Sequence, residues 1–473
     1  MPDAPAGHRE PAVDRGPDDP PAPSSSPAPD SDVAPDNRPG RNSGVAPDNR
    51  PGRNSGVAPD SDNIPNRGSE PQAPAYDAVL VLSFGGPEGP EDVDPFLRTM
   101  LQGRDVPEAR IAEVAAHYHH FGGVSPINGQ NRALVAALAD ELANADIALP
   151  VYWGNRNWAP TLVDEVRRMR DDGIQRALAF VTSAYASYSG CRQYLDDIDA
   201  ARAQVGAGAP VIDKLRLFFN HPGFIETWVA SLHRALTEAA GARQLSEAAG
   251  AWQPAGAAGS RQVAEPTRER QPTEPTQTRQ LAGLASTAGV GRPTDPFETT
   301  SAPAAPPSEP AVLFCAHSIP MSMAATCSYV EQLTETARLV AAGAGVPDER
   351  WQLVWQSRSG PPSQPWLTPD VVDAIAELRE GTAAVVLAPI GFVSDHMEVV
   401  YDLDLVAADA GRTRGLQVVR AATPGTDPRF VAMIRELVTE RLDPAASRLA
   451  VGRLTPAPDR CATGCCPAPA RRS

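Results

Sequence analysis

Residues 389–404 read PIGFVSDHMEVVYDLD, so Asp395, His396 and Glu398 lie within four positions, with Asp402 and Asp404 following. On a helix that begins near Glu398, Glu398 and Asp402 share one face at i, i+4. Carboxylates so placed repel each other and ordinarily belong on a solvated surface. Here they directly follow an apolar run, residues 383–388, that reads as a buried strand stopped by Pro389 and Gly391. Imidazole and carboxylates at the carboxyl end of a strand can hold or relay a divalent metal, or move protons. The same residues also suit a plain helix start, with Ser394 or Asp395 as N-cap and Glu398 in the first turn. A second imidazole, His317, follows the apolar strand AVLFCA (311–316) in the run AHSIP. A lone histidine there can equally cap a helix or satisfy the core. Two such groups after strands of one half of the chain would open onto the same sheet edge, which suits metal or general-base chemistry.

The elements that must position these residues come from strand–helix alternation. Runs at 76–83, 150–154, 176–183 and 215–219 (LRLFF) read as strands of a first half. Runs at 311–316, 351–357, 383–388 and 416–421 read as strands of a second, with amphipathic helices between. This predicts an α/β fold of two similar Rossmann-like lobes, each a four-stranded parallel sheet flanked by helices. The expected organisation is a disordered low-complexity tail at 1–74, lobes at 75–240 and 310–445, a disordered insertion at 241–309, and a cysteine-containing tail at 446–473. The first tail carries the unit VAPDNRPGRNSG twice, at 33–44 and 45–56, with too little apolar bulk to stack as a solenoid. The ordered residues suffice for two modest cores.

In the first half, Phe84, Phe121, Tyr185, Tyr188 and Tyr194 lie in or beside loops after strands, with Arg104, Ser125 and Arg156 in similar places. Apolar walls with a few polar anchors describe a pocket for a flat, hydrophobic acid, although any one of these rings could simply pack sheet against helix. The chain has 473 residues and a net charge of −16, which argues against a nucleic-acid partner. No apolar run is long enough for a transmembrane segment, and no secretory signal is visible, so a cytoplasmic protein is expected, acting as a monomer.

Taken together, LSFGGPEGPEDVDPFLR (82–98), FGGVSPI (121–127), VYWGNRNWAP (151–160), FCAHSIP (314–320), WQSRSGPPSQPWLTP (355–369) and PIGFVSDHMEVVYDLD (389–404) resemble the ferrochelatase family, in the family's order and across nearly all of both halves. AHS followed by I or L and P, with a downstream GF-x-SDH-x-E, is specific to it. The resemblance implies two lobes with a porphyrin cleft between them and insertion of Fe²⁺ into a porphyrin in heme synthesis. It makes His317 and Glu398 the catalytic pair that meets the substrate iron. It makes Asp395, His396 and Asp402 a polar track for metal or protons. Ser125 and Tyr194 match positions that contact the macrocycle or its propionates, and Arg104 and Arg156 are further candidates. Phe84 stands where some relatives place a tyrosine near the metal, so an iron–phenolate contact is excluded there. The actinobacterial character of the sequence favours coproporphyrin III over protoporphyrin IX. A tetrapyrrole or metal carrier that has lost insertion activity is the alternative, and retention of both His317 and Glu398 counts against it.

The chain ends DRCATGCCPAPARRS. Some members of the family hold a 2Fe–2S cluster with C-terminal cysteines and one internal cysteine, and four thiolates are the usual requirement. Cys461, Cys465 and Cys466 would supply three. Cys191, in the polar turn SGCRQY, is the expected fourth, with Cys327 in reserve; Cys315 lies in an apolar strand. A redox-labile tail or a zinc site is the other reading of these thiols. A cluster there is expected to lie away from the porphyrin cleft.

Overall fold

The computed structural model describes residues 75–103, 106–251 (backbone alone for 242–251), 309–360, 363–462 and 464–468. Residues 1–74, Arg104 and residues 252–308 lie outside them.

Each half of the chain forms a four-stranded parallel sheet. The first holds β1 (Ala78–Ser83), β2 (Val151–Asn155), β3 (Arg176–Val181) and β4 (Val211–Lys214) in the order β2-β1-β3-β4. The second holds β5 (Ala311–His317), β6 (Trp351–Gln356), β7 (Ala384–Ala388) and β8 (Gln417–Arg420) in the matching order β6-β5-β7-β8. Strands such as AVLVLS and AVVLA are buried at every position because both faces of each sheet are covered. The fourth strand departs from expectation. Val211–Lys214 pairs with β3, the Leu215 N–H makes a last bond to the Ala179 carbonyl at 2.8 Å, and residues 216–219 continue as buried chain beyond the sheet. The apolarity of LRLFF reflects burial between the lobes, a signal that cannot by itself be told from a strand.

The first half contributes α1 (Val93–Met100), α2 (Glu108–His120), α3 (Ile127–Asn144), α4 (Leu162–Asp171), α5 (Gln193–Val205) and α6 (Pro222–Ala251). The second contributes α7 (Met321–Ala324), α8 (Tyr329–Gly343), α9 (Val371–Glu377), α10 (Met397–Val399), α11 (Ala408–Thr413) and α12 (Pro428–Leu442). His117–His120 belong to α2, so the polar loop begins after them rather than at 117. Helix α6 runs on to Ala251, past the expected end of the lobe at 240.

Two helices cross between halves. Helix α6 lies on α8 and on β7 and β8, while α12 lies on α3 and α6. Phe430 of α12 has its ring 6.1 Å from Phe180 of β3 and 6.0 Å from Phe218. One apolar core therefore spans the inner faces of both sheets, in place of two separate cores. Smaller clusters cover the outer faces, one under α4 and α5 and one under α9 and α11. Arg216 meets Glu440 of α12 in a two-pronged ion pair at 2.7 and 2.8 Å, with side chains only 1% and 4% exposed.

Beyond α12 the chain is a strap across both halves. Val451 donates its backbone N–H to the Asn220 carbonyl at 2.9 Å, Asn220 donates to the Leu454 carbonyl at 2.7 Å, and the Arg453 N–H reaches Glu335 at 2.6 Å. No helix among the described residues is long and apolar enough to cross a membrane.

Candidate active site

In both sheets the strand order reverses beside the central strand, and ligands of open α/β sheets bind at the carboxyl edge of that point. His317 is the last residue of β5, and Glu398 follows its neighbour β7. The loop between them is held tight by Gly391. Its N–H donates to the Cys315 carbonyl at 3.1 Å, and a Cβ there would lie 2.8 Å from Ala316 Cα. His317 Nε2 is consequently 3.6 Å from Glu398 Oε2. Its Nδ1 lies 2.5 Å from the Ser318 carbonyl, which requires the proton on Nδ1 and leaves Nε2 as the basic nitrogen of the neutral ring. The Tyr329 hydroxyl donates to the His317 carbonyl at 3.0 Å.

The N-cap of α10 is His396, not Ser394 or Asp395. Its Nδ1 accepts the Glu398 N–H at 3.2 Å, so in the neutral ring Nε2 carries the proton. Asp395 is engaged elsewhere, bound to Arg420 at 3.0 and 3.2 Å and to Thr423 at 3.0 Å, while its own N–H donates to Gln130 at 2.8 Å. Past α10 the chain winds as a π-helix, Val400–Ala407. A single π turn frequently marks a functional site, and this one carries Asp402, which accepts a hydrogen bond from Ser357.

Burial opposes charge on His317, but Glu398, the Ser318 carbonyl and Asp402 outweigh it and hold its pKa above the ordinary 6.5. Burial likewise opposes the Glu398 carboxylate, yet His317 and then His396 bring it down to about 2. The His396 imidazole is pushed below its ordinary value, mainly by burial. Burial lifts Asp402 to about 6, partly offset by the Ser357 hydrogen bond and reinforced by Glu398. A fixed anion, a strengthened base and a carboxyl that titrates near neutrality thus share one cleft. With 49% of its side chain exposed, Glu398 is open to a ligand.

The first half supplies the opposite wall. Phe84, Phe96, Tyr118 and Trp158 form one apolar cluster with Met397 and Tyr401 of the second half, and His117 stacks on Tyr401 at 3.7 Å. Ser125 is buried against the β1 loop, its N–H donating to the Pro87 carbonyl at 2.8 Å. Arg156 and Tyr194 are closed to solvent. The guanidinium lies 4.6 Å over the Tyr194 ring and 5.9 Å from Phe84, and its Nε is 2.5 Å from Asp197. This stack already satisfies both side chains, and of the first-half set Phe84 and Phe121 lie in the apolar cluster with Met397 and Tyr401.

Sequence reasoning passed over Tyr329, Gln356 and Ser357. Gln356 pairs in register with His317 and donates to the Glu398 carbonyl at 2.9 Å, while its buried Oε1 has no partner. Ser357 has a φ of 59°, a conformation that concentrates at functional sites. Both follow the strand-end rule applied to β6, which could have found them.

The cysteines gather elsewhere. Cys191, Cys327, Cys461, Cys465 and Cys466 line one cavity of about 620 Å³. The thiols of Cys465 and Cys466 are 3.6 Å apart. Hydrogen bonding to Cys461, then burial, pushes Cys191 up, and the same bond draws Cys461 down. The thiols form pairs, and among the described residues no group of three or more His, Cys, Asp or Glu is arranged around a single ion. Cys327 of this cavity precedes by two residues Tyr329, whose hydroxyl donates to the His317 carbonyl; His317 and Glu398 do not line the cavity. Cys315 is buried in β5.

Comparison with known proteins agrees with this geometry. The family model described as ferrochelatase matches residues 76–248 and 296–442. A ferrochelatase of Rhodopirellula baltica is 46% identical over 84% of this chain and 94% of its own length. Proteins named coproporphyrin III ferrochelatase from Streptomyces coelicolor and Nocardia farcinica are each 44% identical, over 85% and 84% of this chain and 96% and 98% of theirs. With a paired histidine and glutamate at the switch point of the second sheet and relatives matched along both halves, the chain belongs to the ferrochelatase family.

Proposed function

We propose that this chain inserts Fe²⁺ into coproporphyrin III, with His317 as the base that takes the pyrrole protons. The single observation that carries this reading is the 3.6 Å contact of His317 Nε2 with a Glu398 carboxylate that is half open to the cleft. Iron–nitrogen bonds form as pyrrole N–H bonds break, so both protons must leave while the iron remains ferrous. A neutral imidazole whose basicity is raised by an adjacent carboxylate suits that transfer. Glu398 stabilises the imidazolium that results and offers oxygen to the incoming cation. Asp402, titrating at about 6, can accept the proton and release it to solvent. His396 fixes the start of the Glu398 turn through its hydrogen bond to the Glu398 N–H. The partly exposed rings of Phe84 and Trp158, backed by buried Phe96, suit a flat macrocycle, and a close-fitting cleft favours the puckered ring that metal insertion requires. Coproporphyrin III is favoured by the names of the Streptomyces and Nocardia relatives.

The test is an anaerobic absorbance assay with Fe²⁺ and, separately, coproporphyrin III and protoporphyrin IX. Faster metalation of coproporphyrin III is expected. His317→Ala should cost roughly 10²–10⁴-fold in turnover while still binding the porphyrin. Turnover within tenfold of the parent enzyme would remove His317 from the role of base, and binding without turnover by the parent itself would make the protein a carrier.

The reading extends to a 2Fe–2S cluster on Cys191, Cys461, Cys465 and Cys466. A tetrahedral metal with bonds of ~2.3 Å sets two sulfurs ~3.7 Å apart, and the Cys465–Cys466 pair stands at 3.6 Å. Cys191 and Cys461 make a second pair across the same cavity. Two thiolate pairs are what such a cluster requires. It would supply one-electron chemistry, on which the insertion step does not draw. Anaerobic protein should contain about two irons and two sulfides per chain. One zinc instead would refute the cluster, and loss of colour in Cys327→Ser but not Cys191→Ser would reassign the internal ligand.

A further inference from the structure

Lys214 is the only lysine in the sequence; the other 41 of its 42 Lys and Arg residues are arginines. It is also buried, 8% exposed, at the end of β4, and it lines the cavity of the five thiols. Burying an ammonium group is costly unless an anion or several hydrogen bonds compensate it. Lys214 donates to the Leu215 carbonyl at 3.2 Å and also meets the Cys191 thiol, and it has no carboxylate ion pair among the described residues.

The other ions around the cavity are already matched. Arg192 pairs with Asp196 at 2.8 Å, and Asp459 with Arg448 at 2.8 Å. Asp213 is held by Arg176 at 2.5 Å and flanked by Arg441 at 4.0 Å and Arg460 at 3.6 Å. Lys214 alone of these ions faces the thiols of the cavity without a carboxylate to match it. Two ferric ions, two sulfides and four thiolates sum to a dianion, and one electron makes that a trianion. A fixed cation beside such a group stabilises the reduced form more than the oxidised one. Charge and hydrogen bonding around the sulfurs are the levers by which a protein sets cluster potential. A compact point charge on a flexible stem reaches between two sulfurs where a planar guanidinium, built for carboxylate or phosphate, fits poorly.

We infer that Lys214 is the charge-compensating residue of the thiol cavity, a positioning residue that raises the reduction potential of the cluster held there. This inference rests on the 2Fe–2S reading above. The experiment is redox titration of the cluster, followed by electron paramagnetic resonance, in the full-length protein and in Lys214→Met and Lys214→Arg. Methionine keeps the length and apolar stem and removes the charge. The expected result is unchanged iron and sulfide content in Lys214→Met with about a tenfold weaker hold on the electron, a shift of about 59 mV to lower potential for a one-electron couple. Lys214→Arg should recover most of that shift. Loss of the cluster from Lys214→Met but not from Lys214→Arg supports the same role. A potential unchanged in Lys214→Met, or loss of the cluster from both variants with an unaltered thermal midpoint, would overturn it. Absence of iron and sulfide from the parent protein would instead fail the cluster itself, a result visible before any variant is made.

Discussion

The Glu398 carboxyl, held at about 2, stays ionised through the working range of the enzyme, and its charge is the largest attraction holding the His317 proton. That fixes the sign of the pH dependence. As the proposed base, His317 has to be neutral to take a pyrrole proton, so kcat/KM is expected to fall as pH drops through a pKa above 6.5. In Glu398→Gln the attraction is gone and burial, which favours the neutral ring, is left less opposed. The acid limb should then move to lower pH while the plateau rate falls, because the imidazolium has lost its counter-ion. A pH profile of both enzymes checks this; an acid limb that stays in place or moves upward would separate His317 from the proton transfer. At this scale the sequence placed His317 and Glu398 after strands, where the structure brings their side chains to 3.6 Å. It was silent on Gln356 and Ser357, whose roles depend on β5 and β6 pairing in a register that places Gln356 opposite His317. It also did not show how Arg156 and Tyr194 are partnered. Polar and aromatic types at a strand end suggest ligand contact, but only packing shows that they satisfy each other and Asp197.

The β7–α10 connection converts two strands into one site, and its tolerance is small. A methyl group on Gly391 would meet the backbone of Ala316 at 2.8 Å, so the loop must lift off β5 to admit it. His317 is anchored to β5 and Glu398 to the loop, so that movement widens the gap between them. Gly391→Ala should therefore reduce turnover by at least about tenfold, with a stability cost of about 1–3 kcal/mol from overpacking. Porphyrin binding should change little, since the apolar wall is built from other elements. Parent-like turnover would show that the loop has slack. The strand positions on which this argument stands were legible as continuous apolar runs between Gly and Pro. The π-helix after α10 was not, because a single wide turn leaves the spacing of Glu398 and Asp402 close to that of an ordinary helix. The fourth strand was displaced for a related reason: an apolar run reports burial, and residues 216–219 are buried beyond the last bond to the sheet, at Leu215.

Two α/β halves are visible in the order of elements, but the order does not say which sheet a helix covers. Here α6 covers the second sheet and α12 reaches the first, so neither half closes the inner face of its sheet alone. Residues 75–251 alone would expose Phe180, Phe218 and Phe224 where Phe430 should lie. They would also leave Arg216 buried without Glu440. Each half expressed separately should thus lack a cooperative unfolding transition, and mixing residues 75–251 with 309–473 should restore one. Independent cooperative melting of either half would contradict a shared core. Within the full chain the same exchange predicts where stability is concentrated. Phe430 is fully buried among rings of the first half, so Phe430→Ala should cost about 3–5 kcal/mol. Arg216→Met should also destabilise strongly, by about 3–5 kcal/mol, because Glu440 would remain buried without its partner. Replacing both, as Arg216→Met with Glu440→Leu, removes the orphaned charge and should return much of that loss. Denaturant melts of the two single variants and the double variant close the cycle; equal instability of the single and double variants would mean that shape, not charge, holds α12 to the first half.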